Sequence, residues 1–155
     1  ARQVEYLGHI ISARGVSTDP GKIKVMTEWP VTATIKQLRG FLGLTGYYRR
    51  FIKHYGLISK PLTELLKKNA FKWSEQAQEA FDKLKAAMVS APVLALPDFS
   101  VPFTIKTDAS GVEIGAVSTQ QGHPIAYLSK ALAPKHQVLS GYEKEFLAVV
   151  LVVEK

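Results

Sequence analysis

The sequence predicts an α+β fold in which a short N-terminal hairpin and a bundle of helices precede three antiparallel strands and a further helix. Residues 4–11 are rich in β-branched and aromatic residues and precede a turn at residues 13–15, as expected for a hairpin. Residues 19–91 place apolar residues at helical spacing between capping residues. After Pro92 the pattern changes to short apolar runs separated by Gly-containing turns.

Capping residues mark the first two helices. Asp19 followed by Pro20 predicts the start of a helix that Pro30 ends. Thr34 caps a second helix, and Gln37 stands at the position that reaches back to the cap.

The third and fourth helices are predicted from their apolar spacing. A helix is predicted over residues 55–68, and Pro61 either begins a helical segment or kinks this helix. Its apolar side comprises Leu57, Ile58, Leu62, Leu65 and Leu66. Ser74 caps the fourth helix, for which the predicted core face is Ala77, Phe81, Leu84 and Met88.

Three short strands are predicted in the C-terminal part, over residues 103–107, 114–117 and 125–128. Turns are predicted at Gly111 and at residues 121–124, a spacing typical of an antiparallel meander. An amphipathic helix then begins after Ser140 and is predicted to run through Lys155.

Composition and charge limit the classes of function that the chain can have. With 46% apolar residues the chain can bury a core, and with no Cys it has neither disulfides nor thiolate metal ligands. No apolar run is long enough to span a membrane, and the N-terminus lacks a signal peptide. Residues 1–92 carry 15 Lys/Arg against 7 Asp/Glu, whereas residues 93–155 carry 5 against 6. A basic part beside a near-neutral part predicts a polyanionic partner such as nucleic acid.

Two carboxylates predict a divalent-metal site. Asp108 follows a predicted strand, and Glu145 lies in the first turns of the last predicted helix. Hard oxygen ligands from separate elements are what Mg²⁺ requires beside a phosphate. Glu143 lies about 200° around the helix from Glu145, so both cannot face one site.

Three glycines recur inside the second predicted helix, at Gly40, Gly43 and Gly46. Each costs roughly 1 kcal/mol relative to Ala, so close approach of another surface is the expected reason. That surface is either a neighbouring helix or a nucleic acid.

Several motifs in a fixed order resemble the polymerase polyprotein of gypsy-type (metavirus) long-terminal-repeat retrotransposons. Residues 6–16 are similar to the primer-grip hairpin of the reverse transcriptase palm, and residues 38–52 to its thumb signature. Residues 91–99 resemble the junction into ribonuclease H (RNase H). Residues 107–110 and 142–145 resemble RNase H segments. The resemblance covers nearly all of the chain.

The resemblance implies three regions. Residues 1–18 correspond to the end of the palm, residues 19–91 to the thumb helices and a connecting helix, and residues 92–155 to an incomplete RNase H-like domain. The polymerase Asp pair precedes residue 1 in this family, and two further RNase H carboxylates follow the matched segment. The chain by itself is therefore expected to be inactive.

The resemblance also implies residue roles. The second thumb helix lies along the minor groove of the template–primer duplex in this family, and Leu7, Gly8 and His9 would position the primer end. For Tyr6, Leu7 and Ile11 themselves, packing in the core is the expectation. Asp108 and Glu145 would hold Mg²⁺. The residues expected to contact nucleic acid are Arg39, Gly40, Gly43, Tyr47, Arg49, Arg50 and Lys53.

Two positions depart from the family pattern. Glu113 stands where Gly is usual, at a site where a Gly-type backbone angle would disfavour Glu, and Ser118 stands where an apolar residue is usual. Both favour a second hypothesis, a non-enzymatic retroelement remnant that acts as a protein–protein interaction module. A third hypothesis is a nuclease completed by another chain.

The implied partners are an RNA–DNA hybrid or template–primer duplex and the remainder of the polyprotein, without a membrane. Missing strands would leave an exposed sheet edge that could pair with another chain. The implied location is intracellular, in a cytoplasmic particle or the nucleus.

Overall fold

A computed structural model describes residues 2–153 of the chain, with side chains described through residue 151. Within these residues, six helices and two separate three-stranded antiparallel sheets form a helical lobe (residues 2–91) and a sheet lobe (residues 104–153). Residues 92–103 connect the lobes. The predicted α+β class is confirmed.

The N-terminal segment forms three strands where a hairpin was predicted. Strands β1 (Val4–Tyr6), β2 (His9–Ser12) and β3 (Gly15–Thr18) pair in sequence order. Leu7 and Gly8 join β1 to β2 with φ of 48° and 77°. Two consecutive positive φ angles form the tight turn that matches the twist of a hairpin. The expectation that Tyr6 and Leu7 lie in the core is wrong, because these side chains are 61% and 69% exposed.

The helical lobe contains α1 (Pro20–Thr27), α2 (Ile35–Tyr47), a 3-10 turn (Arg49–Phe51), α3 (Tyr55–Glu64) and α4 (Glu75–Val89). Three of the four α-helices begin at the predicted capping residues. The Thr34 hydroxyl accepts a hydrogen bond from the Gln37 amide at 3.2 Å. The Gln37 side chain in turn accepts from the Ala33 amide at 2.8 Å, so the pair caps α2 reciprocally.

Aromatic and aliphatic side chains from all four helices build the core of the helical lobe. The rings of Phe41 and Phe81 lie 4.5 Å apart between centroids, and Trp73 meets Phe81 edge to face. The predicted core face of α4 is buried throughout. The predicted third helix is too long, because α3 ends at Glu64 and contains Pro61. Leu57, placed on its predicted apolar side, is 41% exposed.

The sheet lobe is a meander of β4 (Thr104–Ala109), β5 (Glu113–Gln120) and β6 (His123–Ala131). The strands are longer than predicted because β5 and β6 extend to the two-residue turn at Gln121 and Gly122, both with positive φ. Helix α5 (Pro134–Gln137) was not predicted. Helix α6 (Gly141–Val153) follows, and its predicted last residues lie outside the described part of the chain.

Helix α6 packs on one face of this sheet. Ile114 of β5, Leu132 and Ala148 of α6 form a small buried cluster.

No helix within residues 2–153 is long and apolar enough to cross a membrane.

The connector is tied to both lobes through backbone hydrogen bonds. Val16 and Leu94 exchange N–H···O=C bonds of 2.7 and 2.8 Å, and Ala95 donates to the Pro124 carbonyl at 2.8 Å. Gly15 is required at this contact, since its φ is +129° and a Cβ would collide with the Leu94 carbonyl.

Candidate functional site

An exposed stripe runs along α2. Arg39, Gly43 and Tyr47 are spaced four residues apart, which places them on one side of the helix, and all three are exposed. A Cβ at Gly43 would meet no atom within 4 Å. Helix α2 contains no Asp or Glu. The stripe therefore offers a positive charge, bare backbone and an aromatic ring in a row, a combination suited to a polyanion.

The other two glycines of α2 lie against protein. A Cβ at Gly40 would stand 3.3 Å from the Trp29 ring, and one at Gly46 would stand 3.4 Å from the Tyr55 hydroxyl. Close packing thus accounts for Gly40, Gly46 lies at ordinary contact distance from Tyr55, and Gly43 faces open space. The sequence left open whether these glycines face protein or nucleic acid. Gly40 and Gly46 face protein, and only Gly43 is open to a nucleic acid.

The end of α2 holds the turn between β1 and β2. The Tyr47 hydroxyl donates to the Leu7 carbonyl at 2.5 Å, and the Tyr48 hydroxyl donates to the Gly8 carbonyl at 2.6 Å. Tyr48 is 1% exposed, and this burial, with Asp19 nearby, raises the pKa of the Tyr48 phenol to about 12. The hydroxyl therefore remains a proton donor at neutral pH, and the turn is fixed to the end of the stripe.

His9 is surrounded by aromatic rings at the same place. Its ring centroid lies 5.3 Å from that of Tyr47, 5.5 Å from that of Tyr48 and 5.6 Å from that of Phe51. Burial and then the positive charge of Arg50 lower the pKa of the His9 imidazole from its ordinary 6.5.

The remaining predicted basic residues have different surroundings. Arg49 donates from Nη2 to the Ser129 carbonyl at 3.0 Å and lies over the Tyr55 ring, so it joins the two lobes. Arg50 lies over the Phe51 ring, and its side chain is exposed. Lys53 lines a pocket between the lobes.

That pocket, of about 180 Å³, also contains Asp108. Asp108 pairs with Gly115 and is exposed, and the register puts it on the sheet face that carries Glu113 and Ser129. His54 and Lys106 line the same pocket and were not singled out in the sequence. Lys106 precedes Asp108 by two residues on a strand, so alternation could have placed both on one face.

Glu145 is exposed on α6, whose residue Ala148 packs on the opposite sheet face with Ile114. Carboxylate oxygens of Asp108 and Glu145 are ligands that Mg²⁺ prefers, so the donor chemistry fits. Two carboxylates do not complete a site, and residues 2–153 contain no group of three or more His, Asp or Glu that could hold a metal ion. The metal-ligand role of the pair stays a prediction.

Glu143 has a structural role at the start of α6. Its carboxylate accepts from the Ser140 amide at 2.7 Å, while the Ser140 hydroxyl accepts from the Glu143 amide at 3.3 Å. These bonds to Ser140 lower the pKa of the Glu143 carboxyl. The pair is a capping box, which the Ser-x-x-Glu spacing could have predicted.

The expectation of a Gly-type backbone at Glu113 is wrong. Glu113 is the first residue of β5, pairs with Ala131 and is not among the residues with positive φ. Its side chain is 3% exposed and faces the helical lobe. Ser118 is half-buried and lies where the register between β5 and β6 shifts.

The sequence matches a known protein family. The family described as the RNase H-like domain found in reverse transcriptase matches residues 73–155, more than half of the chain. The chain belongs to this family.

Its relatives are mainly retroelement polyproteins. The retrovirus-related Pol polyprotein from transposon 297 of Drosophila melanogaster is 43% identical over 151 residues, which are 96% of this chain and 14% of that protein. The corresponding polyprotein from transposon gypsy is 39% identical over 165 residues, 98% of this chain and 16% of that protein. An uncharacterized mitochondrial protein of Arabidopsis thaliana is 58% identical over 106 residues, 67% of each chain. The predicted resemblance to gypsy-type polyproteins is confirmed.

Solved structures share the fold. A foamy viral protease–reverse transcriptase in complex with double-stranded DNA matches with a TM-score of 0.91 and 24% identity, over 100% of this chain and 34% of that chain. The same type of protein in complex with an RNA/DNA hybrid matches with a TM-score of 0.90 and 24% identity, over 97% of this chain and 21% of that chain.

The depressed pKa of His9 predicts a loss of stability in acid. In the window below pH 6.5 the unfolded chain binds a proton that the folded chain resists, so the free energy of unfolding falls as the pH falls toward the folded pKa. Urea unfolding of the wild type and His9→Phe at a series of pH values measures this, and the variant should lose part of the pH dependence. A His9 imidazole that titrates at or above 6.5 by NMR would contradict the assignment.

Proposed function

We propose that the chain is the duplex-gripping part of a retroelement reverse transcriptase, joined to the first part of its RNase H domain. In this proposal residues 1–18 correspond to the primer-grip-like segment, residues 19–91 to the thumb helices and connecting helix, and residues 92–155 to the RNase H-like part. The ligand is an RNA–DNA hybrid or a template–primer duplex. The observation that carries the proposal is the exposed stripe of α2 and the turn held at its end.

The stripe has the chemistry of a duplex-binding surface without sequence readout. The Arg39 guanidinium can pair with a phosphate, and Gly43 lets a sugar–phosphate backbone approach the helix closely. A hybrid duplex has a wide, shallow minor groove that suits recognition by shape. The hydrogen bond from Tyr47 to the Leu7 carbonyl places the turn of Leu7, Gly8 and His9 beside the stripe, where it would meet the primer strand.

Among the other predicted contacts, Arg50 and Lys53 are exposed basic residues that follow α2 in the chain, and each is proposed to contact a phosphate. Arg49 is held by the Ser129 carbonyl and the Tyr55 ring, so its proposed contribution to phosphate binding is smaller. Gly40 lies against Trp29, and its proposed role is to allow the helix to pack rather than to meet the duplex.

Asp108 and Glu145 are the proposed contribution of this chain to an Mg²⁺ site. Because α6 packs on the sheet face opposite Asp108, the two carboxylates would have to meet around the edge of the sheet. Bound Mg²⁺ would supply charge stabilisation at a scissile phosphate. Asp108 lies in the pocket with Lys53 and Lys106, whose ammonium groups can hold a phosphate near the carboxylate. Completion of the site requires carboxylates from the remainder of the polyprotein, which is the proposed protein partner.

The interaction-module hypothesis loses one of its supports. That hypothesis expects the backbone to disfavour Glu113, whereas Glu113 occupies an ordinary strand position with both carboxylate oxygens in contact with the helical lobe. Pairing at the outer strands β4 and β6, completion by another chain and an intracellular location stay predictions.

Binding to a labelled RNA–DNA hybrid tests the proposal. We expect binding that weakens steeply with salt, and Arg39→Ala should reduce the slope of log K against log salt by about one, because one phosphate contact is lost. Lys83→Ala, which removes an exposed charge from α4, is the matched control and should change binding little. Absence of binding at low salt would overturn the proposal and favour the interaction module.

Gly43 offers a test in which stability and binding change in opposite directions. Gly43→Ala should raise the free energy of unfolding by about 0.5–1 kcal/mol, because glycine disfavours a helix and the new methyl meets open space. It should weaken hybrid binding by roughly tenfold, or about 1.4 kcal/mol, because the methyl occupies the approach of the backbone. Gly141→Ala, also with open space around it, is the control. A more stable variant that binds as tightly as the wild type would contradict close approach at the stripe.

Nuclease activity tests the metal-ligand proposal. We expect this chain with Mg²⁺ to leave the bound hybrid intact, because two carboxylates hold the metal too weakly for cleavage. Asp108→Asn should therefore behave like the wild type in a cleavage assay. Cleavage by the wild type that Asp108→Asn abolishes would show that the chain holds a complete site.

A further inference from the structure

Glu113 is a buried carboxylate with partners in the other lobe. Its side chain is 3% exposed, and its two oxygens have different partners. Oε1 accepts a hydrogen bond from the Leu57 amide at 3.1 Å, and Oε2 lies 3.0 Å from Nδ1 of His54. A buried carboxylate without partners would be strongly destabilising, so these contacts are what permit Glu at this position.

The partners lie at the N-terminus of α3, which has no cap of its own. His54 occupies the N-cap position with φ of 60° and makes no side-chain capping hydrogen bond. The next free amides are satisfied from the sheet lobe, since Gly56 donates to the Ser129 hydroxyl at 2.6 Å and Leu57 donates to Glu113. A carboxylate at this end also interacts favourably with the helix dipole.

Close packing reinforces the contact. A Cβ on Gly56 would stand 3.2 Å from the Ala131 amide nitrogen and 3.3 Å from the Ser129 hydroxyl. These distances are tighter than ordinary van der Waals contact, so a side chain at this position would require α3 or β6 to shift by a few tenths of an ångström. Arg49 adds a hydrogen bond to the Ser129 carbonyl.

We infer that Glu113 and Ser129 cap α3 across the two lobes and thereby hold the sheet that carries Asp108 in one position against the helical lobe. Glu113, Ser129, His54, Gly56 and Leu57 are called the interlobe joint. The joint lies beside Asp108, because Glu113 and the Asp108 partner Gly115 are two residues apart on one face of β5. A Cβ on Gly115 would stand 3.7 Å from Nδ1 of His54. Glu113 is thus a positioning residue. The effect of Glu113 on duplex binding rests on the proposed function, whereas the contact between the two lobes is independent of it.

The distance between the lobes, measured without nucleic acid, tests the joint. The chain has no Cys, so Glu79→Cys in α4 and Lys135→Cys in α5, both at exposed positions, would carry a pair of spin labels. Pulsed electron resonance then gives the distribution of distances. In Glu113→Ala we expect the distribution to become about twofold wider, because the first turn of α3 loses its cap.

Glu113→Gln separates the hydrogen bonds of the side chain from its negative charge. Its amide oxygen can still accept from Leu57 and its amide nitrogen can donate to His54, so the narrow distribution should return. A Glu113→Ala distribution as narrow as that of the wild type would overturn the inference. So would a Glu113→Gln distribution as wide as that of Glu113→Ala. Since no nucleic acid is present, failure here is distinct from failure of hybrid binding.

Gly56→Ala provides a second route if Glu113→Ala does not fold. The added methyl should push α3 away from Ala131 and Ser129 by a few tenths of an ångström and widen the distribution while leaving the Glu113 carboxylate in place. Gly141→Ala adds the same methyl in open space and should leave the distribution unchanged. Equal distance distributions in Gly56→Ala and Gly141→Ala would overturn the inference.

Discussion

The arrangement of the two lobes depends on how the N-terminus of α3 is satisfied. A helix end leaves backbone amides without partners, and burial of such amides is costly unless something accepts from them. Here the acceptors are the Glu113 carboxylate and the Ser129 hydroxyl, both presented by the second sheet. The same contact that completes the helix therefore sets where β5 and β6 lie. Tyr127 of β6 packs against the helical core beside it, so polar and apolar contacts meet at one interface.

The second constraint is the attachment of the N-terminal sheet to α2. Tyr47 and Tyr48 reach the carbonyls of Leu7 and Gly8, residues 40 positions earlier in the chain. Tyrosine suits this task because its ring packs against His9 and Phe51 while its hydroxyl extends to the turn. The turn of Leu7 and Gly8 thus lies beside Tyr47 at the end of the stripe, although these residues come from separate segments.

Much of the fold could be read from local patterns. Asp19, Thr34 and Ser74 each accept from an amide at the start of a helix, as the capping pattern indicated. The buried face of α4 and the turn at Gln121 and Gly122 also followed from spacing and residue type. The wrong predictions concern where elements end and which side chains are exposed. Helix α3 ends earlier than its apolar run, and Tyr6 and Leu7 lie in or directly after β1, a strand whose three residues are all exposed.

The sequence by itself determined the family and the order of most elements, because these depend on short motifs and local periodicity. The residues that would bind a polyanion or a metal are predictions made from the same motifs. Only the tertiary structure decided what Glu113 does, since its partners His54 and Leu57 lie 59 and 56 residues away in the chain. The same holds for the glycines of α2, where Trp29 packs closely on Gly40, Tyr55 lies at contact distance from Gly46, and Gly43 faces open space. Local pattern gives each residue a helix or a strand, whereas hydrogen-bond partners and open surface depend on which distant segments fold against it.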